Sequence, residues 1–320
     1  MKGVILAAGY GTRFLPATKS VPKELLPLVD RPALDFILQE FVDSGITELL
    51  LISSRRKRAL EDYLDHEVEL EGALERAGKP DMLQKIAPPP LKVTVVRQAA
   101  MRGTGHALLL AREFAGSDPV IVAYPDDIHI GDPPLSAQLI ETHTATGATV
   151  LATIYDPPHL ERYGIVALDD DEEHVTDIVE KPAPGTEPSR EASIGRYLYT
   201  PDFFQELARE WEAFEAAGNP GTGPQPGPGG AGSSRAGVGT GNRPAGGPGG
   251  GAGAGGPTTG GEFYHTGALK RLMSQGRVVR RRITGERIDV GAPAGYVRAF
   301  LRYAAADPEL RRAMEEELGR

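Results

Sequence analysis

The 320-residue chain has no cysteine, which excludes a disulfide framework, a thiolate metal site and a cysteine nucleophile. It also lacks a cationic excess. Thirty-five lysines and arginines stand against 44 aspartates and glutamates, for a net charge of −9. That balance argues against holding bulk nucleic acid on a basic face, although a few local cations suffice for one small anionic ligand. No apolar run reaches the length of a membrane span, and the opening stretch MKGVILAAGYGTR is too short for a signal peptide. The expectation is a soluble cytoplasmic protein with no membrane or nucleic-acid partner. Internal repeats are absent. What is present is ordinary for a globular chain, 40% hydrophobic and 25% charged. By length two domains are the usual prior, but single α/β domains often run this long.

Glycine and proline are unevenly spread. Residues 218–261 hold 20 of the 40 glycines and 7 of the 27 prolines, with Val238 the only large aliphatic side chain and Arg235 and Arg243 the only charges. Such a segment buries too little apolar surface to offset chain entropy. A domain tether, a disordered insertion and a collagen-like stretch compete, and the missing Gly-X-Y period removes the last. Residues 262–320 look too short and too poor in strands to fold alone. The expectation is one domain formed by residues 1–217 and 262–320, with 218–261 inserted in a surface loop at small entropic cost.

Periodicity then places buried strands at residues 3–7, 48–52, 93–97, 119–124 and 148–154. Helices are expected at 34–44, 57–64, 68–76, 105–114 and 136–144. This alternation predicts an α/β, Rossmann-like three-layer fold with a mostly parallel central sheet. Shorter strands at 164–168, 175–180 and 192–199 turn the sheet mixed, and helices at 294–304 and 308–318 close the chain. Ligands of such sheets sit beyond the carboxyl ends of the strands.

Directly after the first strand come Gly9 and Gly11, whose flexible backbone can bring N–H groups to phosphate oxygens. A tight strand-to-helix turn would use the same glycines. The dinucleotide fingerprint fails because Phe14 takes its third glycine position, and no Gly-Lys-Ser/Thr follows to make a Walker loop. Arg13, Lys19 and Lys23 follow on a path punctuated by Pro16 and Pro22, which is expected to be extended and rigid and to turn these cations back toward the glycines. A forked guanidinium beside lysine point charges suits a polyphosphate.

The string LAAGYGTRFLPATKSVPKELLPLVDRP resembles the amino-terminal signature of the sugar-nucleotide pyrophosphorylases, most of all the bacterial UTP–glucose-1-phosphate uridylyltransferases. Residues 62–83 resemble an insertion typical of those uridylyltransferases, and 310–319 resemble their carboxyl end. The likeness spans nearly the whole chain outside 218–261. It implies that Ala7, Ala8, Gly9, Gly11, Thr12, Arg13 and Lys23 hold the nucleotide.

Other strand ends acquire meaning beside that resemblance. Gln98 carries a donor and an acceptor that fit the imide edge of a uracil, although alone it would read as a solvated strand end. The resemblance makes Gln98 and Gly103 uracil contacts. His106 is read as a capping or packing residue rather than a base. Asp126 follows a strand and a proline, which suits either a turn or a magnesium ligand. The resemblance pairs it with the distant Asp289 on one Mg²⁺. Glu180 and Lys181 look like an exposed ion pair, yet the resemblance gives Glu180 the sugar hydroxyls and Lys181 the sugar phosphate. It likewise lines the sugar pocket with the backbones of Gly164 and Gly195.

The implied reaction moves UMP from UTP to glucose 1-phosphate in an in-line displacement that needs no general base, because the attacking phosphate is already ionised. Arg13, Lys23, Asp126 and Lys181 would carry the chemistry, and a homo-oligomer is implied as well. A thymidylyl- or cytidylyltransferase, or a non-catalytic sugar-nucleotide sensor, are the alternatives. Two departures bear on the choice. Thr104 stands where those enzymes usually have leucine, and Gly261-Glu-Phe-Tyr-His-Thr-Gly-Ala268 replaces Gly-Glu-Ile-Gln-Leu-Thr-Asp-Ala.

Overall fold

The apolar run near the start of the chain forms β1 (Lys2–Leu6), the inner strand of a nine-stranded sheet in the computed structural model, which describes residues 1–217 and 261–319. The expected insertion at 218–261 lies outside the described residues except for Gly261. After β1 come a short ribbon, β2 (Pro27–Leu28) with β3 (Arg31–Pro32), then α1 (Ala33–Asp43) and β4 (Glu48–Ser53). Three helices, α2 (Arg58–Leu64), α3 (Val68–Arg76) and α4 (Pro80–Ile86), lead to β5 (Lys92–Arg97). Next are α5 (Thr104–Leu109), α6 (Arg112–Ala115), β6 (Val120–Ala123), β7 (Asp127–Ile130), α7 (Leu135–Thr146) and β8 (Thr149–Tyr155). Strands β9 (Gly164–Leu168), β10 (Val175–Glu180) and β11 (Glu191–Tyr199) precede α8 (Pro201–Ala216). Beyond the glycine-rich stretch lie α9 (Thr266–Met273), β12 (Val278–Arg282), β13 (Glu286–Asp289), α10 (Pro293–Ala306) and α11 (Pro308–Glu317).

Strands β6, β1, β4 and β5 run parallel side by side, as the strand–helix alternation predicts. Strand β11 pairs antiparallel with β6 and turns the sheet mixed. It shifts register between Ser193 and Tyr197, a bulge that lets one strand serve β6, β8 and β9. From beyond residue 260, β12 joins the same sheet, parallel to β8. Alternate side chains divide two cores. Val4, Leu50, Ile52 and Val122 face α5, α6, α8 and α9, while Ile5, Leu49, Leu51 and Ile121 face α1, α2 and α7. The result is the three-layer α/β fold, covered on both faces.

Several elements differ from the sequence reading. Helix α8 was not anticipated, although Pro201 at its first turn and Phe203, Leu207, Trp211 and Phe214 at three- and four-residue spacing give it an apolar face. Helix α9 and β12 also escaped it, because each is short and carries basic residues beside its buried ones. The expected helix at 105–114 divides into α5 and α6. The proline-punctuated path after Gly11 is not extended. It folds into three 3₁₀ turns, Thr12–Phe14, Ala17–Lys19 and Lys23–Leu25, with Pro16 and Pro22 immediately before the second and third.

Candidate active site

The glycine turn is built to bring Lys23 over it. Gly11 adopts φ +68°, and a Cβ there would lie 3.3 Å from Lys23 Cβ. Thr18 Oγ1 donates to Gly11 O at 2.8 Å and ties the loop back on itself. Lys23 then reaches outward to Asp126, with Nζ 2.5 Å from Oδ2. Its neighbour Glu24 turns inward and accepts from Lys57 Nζ at 2.7 and 2.9 Å in an almost fully buried pair that anchors the loop below β4. Arg13 Nη1 donates to Gly291 O at 3.1 Å, so the glycine loop also grips the segment after β13. Ala7 and Ala8 are buried, and Ala7 N donates to Ile52 O.

Asp126 and Asp289, 163 positions apart, meet because β7 and β13 form a separate antiparallel ribbon in which Asp127 pairs with Asp289 and Val290 N donates to Asp126 O. A Cβ added at Gly291 would collide with Asp126 Oδ2 and stand 3.1 Å from Asp289 Oδ1, so both carboxylates face one small gap. Burial opposes the charge on Asp126, but Lys23 and then Arg13 outweigh it and hold its carboxyl below the usual range. Burial likewise opposes the charge on Lys23, and Asp126 with Glu24 overcomes it and raises the ammonium. Both groups are charged across neutral pH. Among the described residues no set of three or more His, Cys, Asp and Glu side chains gathers as a metal cage. Two carboxylates flanking one gap do match a hard cation that takes its other oxygens from phosphate and water. Gly291→Ala should therefore cost at least tenfold in turnover with little change in melting temperature, checked by kinetics and calorimetry, since the added methyl enters the gap and not the core.

Beside this gap opens a cavity of about 350 Å³ walled by Arg13, Glu180, Lys181, Gly195, Arg287 and Asp289, with Gly164 also lining it. Gly164 pairs with Glu180 across β9 and β10, and its missing side chain leaves room for the Glu180 carboxylate, whose Oε1 would stand 3.0 Å from a Cβ there. Lys181 leaves β10 at φ +46°, in the left-handed region, with its N–H bonded to Tyr163 O. Sequence reasoning missed two members of this wall and their holder. Asp127 accepts from Arg287 Nε at 2.5 Å and from Gly195 N at 2.7 Å, and Arg287 Nη1 donates to the Tyr163 hydroxyl at 3.1 Å. Burial works against the Arg287 charge, but Asp127 overrides it and keeps the guanidinium ionised. The cue was an aspartate next to the one chosen, with an arginine two residues before Asp289.

Gln98 and Gly103 do not line that cavity. They sit past the end of β5, two strands from β1. Gln98 is buried, and its Nε2 lies 3.0 Å from Gly103 O and 3.1 Å from His106 Nδ1, which fixes the amide. His106 packs at 5.2 Å against the Trp211 ring, in agreement with a packing role. Gly103 is in close contact with a distant segment of the chain. At φ +94° its open side is filled by the chain's own Phe263, whose N would be 2.9 Å from a Cβ, and Phe263 bonds to Arg102 O and Gly105 N. The missing side chain makes room for this distant segment of the same chain. Gly267 has a similar explanation. A Cβ there would collide with the carboxylate of Glu210, which bonds Arg271 at 2.9 Å, so an acidic group reaches position 267 from α8 instead.

The sequence pattern of the nucleotidyl transferase family matches residues 2–219. The chain is 35% identical over 315 residues to a UTP–glucose-1-phosphate uridylyltransferase of Staphylococcus saprophyticus, covering 97% of this chain and 93% of that one. A uridylyltransferase of Staphylococcus epidermidis is 34% identical, with 97% and 94% covered. The fold is similar to a UTP-bound UDP-glucose pyrophosphorylase of Acinetobacter baumannii, with a TM-score of 0.76 at 28% identity, covering 99% of this chain and 98% of that one. A UDP-glucose pyrophosphorylase complexed with UDP-glucose superposes with a TM-score of 0.70 at 28% identity, over 96% and 99% of the two chains. Among the described residues no helix is long and apolar enough to cross a membrane.

Proposed function

The chain belongs to the nucleotidyl transferase family, and from that premise we propose that it transfers UMP from UTP to glucose 1-phosphate, yielding UDP-glucose and pyrophosphate. The observation that carries this reading is the convergence of Lys23, Asp126 and Asp289 beside a cavity lined by Arg13, Glu180, Lys181 and Asp289 itself. UTP lies along the glycine loop, with Gly9, Gly11 and Thr12 offering backbone to its phosphates and Gln98 turned to the uracil edge, beside the backbone of Gly103. Glucose 1-phosphate fills the cavity, its hydroxyls on Glu180 and the backbones of Gly164 and Gly195 and its phosphate on Lys181. That phosphate is an anion at neutral pH and attacks without a base. Arg13 and Lys23 stabilise the charge that builds on the departing pyrophosphate, acting in a partly water-excluded site where fixed cations count most. Asp126 and Asp289 would hold Mg²⁺, which when bound supplies positive charge at the α-phosphate.

The same proposal includes one domain made of 1–217 and 262–320 with 218–261 inserted, a cytoplasmic location and a homo-oligomer. The pairing of β12 with β8 supports the first of these. The decisive experiment is pyrophosphate release with Mg²⁺, UTP and glucose 1-phosphate, run beside CTP, dTTP and other sugar phosphates. Turnover that vanishes with EDTA and in Asp126→Ala is expected. A folded protein that binds UDP-glucose but releases no pyrophosphate from any pair would be a sensor and not an enzyme.

A further inference from the structure

Thr104 and His265 have no part in the scheme above, yet they bond to each other across 161 residues, Thr104 Oγ1 lying 3.0 Å from His265 Nδ1. Both are positions where the chain departs from the uridylyltransferase pattern. The imidazole is only 2% exposed and stands just ahead of α9, in the wall of the cavity that also holds Glu180 and Lys181. Tyr197 and Tyr199 meet its ring edge-on at centroid distances of 5.7 and 6.3 Å, so the ring has little freedom to turn. With Nδ1 tied to a hydroxyl, Nε2 is the nitrogen with which the ring meets a ligand, as donor or acceptor according to the tautomer Thr104 selects.

We infer that His265 is a specificity-determining residue for the sugar: held by Thr104, it hydrogen-bonds one hydroxyl of the hexose in the cavity. This rests on the transferase reading above and on a sugar 1-phosphate occupying that cavity. The lining of the cavity includes Ile178 and Leu269 with Ser193, Thr266 and His265, a combination of apolar faces and neutral hydrogen-bonding groups that fits a polyol beside the charged groups that would take its phosphate. A neutral imidazole is what such a site needs, and burial supplies it by pushing the His265 pKa down to about 4. A leucine at 265 would fill the same wall and leave that hydroxyl without a partner.

The test is steady-state kinetics of His265→Leu, His265→Gln, Thr104→Leu and the Thr104→Leu/His265→Leu double variant, with glucose 1-phosphate and its 2-, 3-, 4- and 6-deoxy analogues. His265→Leu should raise KM for glucose 1-phosphate by about tenfold, the worth of one neutral hydrogen bond, and leave KM for UTP unchanged. One deoxy analogue, and only one, should suffer no further loss in the variant, because the native protein has already lost the same bond with it. Thr104→Leu should shift the same analogue's preference in the same direction, and the double variant should be no worse than His265→Leu alone. His265→Gln, which keeps a donor and an acceptor, should recover part of the affinity and carries the test if the leucine variant does not fold. An equal loss with every analogue, or an unchanged KM for glucose 1-phosphate, overturns the role of His265. Absence of turnover in the native protein with all sugar 1-phosphates overturns instead the transferase reading beneath it.

Discussion

Lys23→Ala should lower kcat by about 10²–10³-fold, the cost of removing one preorganised donor from a developing charge. The lysine is poised at the glycine turn by the Thr18 tie, by the close approach of its Cβ to Gly11 and by the buried Glu24–Lys57 pair behind it. Its side chain is 19% exposed and Nζ rests on Asp126, so the cation is present and aimed before any substrate arrives. The same contact makes a second outcome expected. Asp126 is kept below the usual carboxylate range against the effect of burial, chiefly by Lys23, so without the lysine its carboxyl rises. A carboxylate with a depressed native pKa is charged above that pKa and loses its charge as pH falls through it. The acid limb of the kcat/KM profile that belongs to Asp126 should therefore move to higher pH in Lys23→Ala relative to the native profile. Pyrophosphate release measured across pH reads both effects at once. A variant within threefold of the native rate, or an acid limb that stays in place, removes Lys23 from the reaction.

The parts of this site legible in the sequence were those governed by local order. Gly9, Gly11, Arg13 and Lys23 follow one strand and Asp126 follows another, so a coarse strand assignment was enough to single out these segments, whereas Glu180 at the end of a third strand looked like half of an exposed ion pair and stood out only through the family resemblance. What stayed hidden depends on partners far along the chain. The β7–β13 ribbon that puts Asp289 beside Asp126 joins segments more than 150 residues apart, and neither strand exceeds four residues, too short for a period to register. Sequence alone gives no sign that Asp127, Glu24 and Lys57 each have an opposite charge within reach in the interior. Gly103 shows the converse. At φ +94° it has an open side, and only the fold reveals that this space belongs to Phe263. The departures at 104 and 265 looked unrelated in the sequence and prove to be two ends of one hydrogen bond.

Glu40→Ala should destabilise the folded protein by about 3–5 kcal/mol, although Glu40 touches no substrate. It lies on α1 at 6% exposure and faces Arg196 of β11, which is fully buried, with Nη2–Oε2 at 2.8 Å and Nε–Oε1 at 3.0 Å. Glu40 also accepts from Ser136 N at 3.0 Å and from the Ser136 hydroxyl, so its loss strands a guanidinium and the start of α7 together. Burying an uncompensated charge costs far more than a surface ion pair returns. The pair has a further duty at the site. Arg196 Nη2 donates to Asp127 O at 3.2 Å and Nη1 to Gly195 O at 3.4 Å, within the β11 bulge. It thus holds from behind the same Asp127 whose carboxylate clamps Arg287 and Gly195 from the front. Stability and site geometry can be separated by replacing both partners. Glu40→Leu/Arg196→Met exchanges two charges for apolar volume and should regain most of the loss in urea midpoint. Its KM for glucose 1-phosphate should still exceed the native value, because Asp127 has lost its rear support and the Arg287 wall is freer to move. A double variant that recovers both stability and native KM would show that the buried pair only fills the core, and that Asp127 holds Arg287 without it.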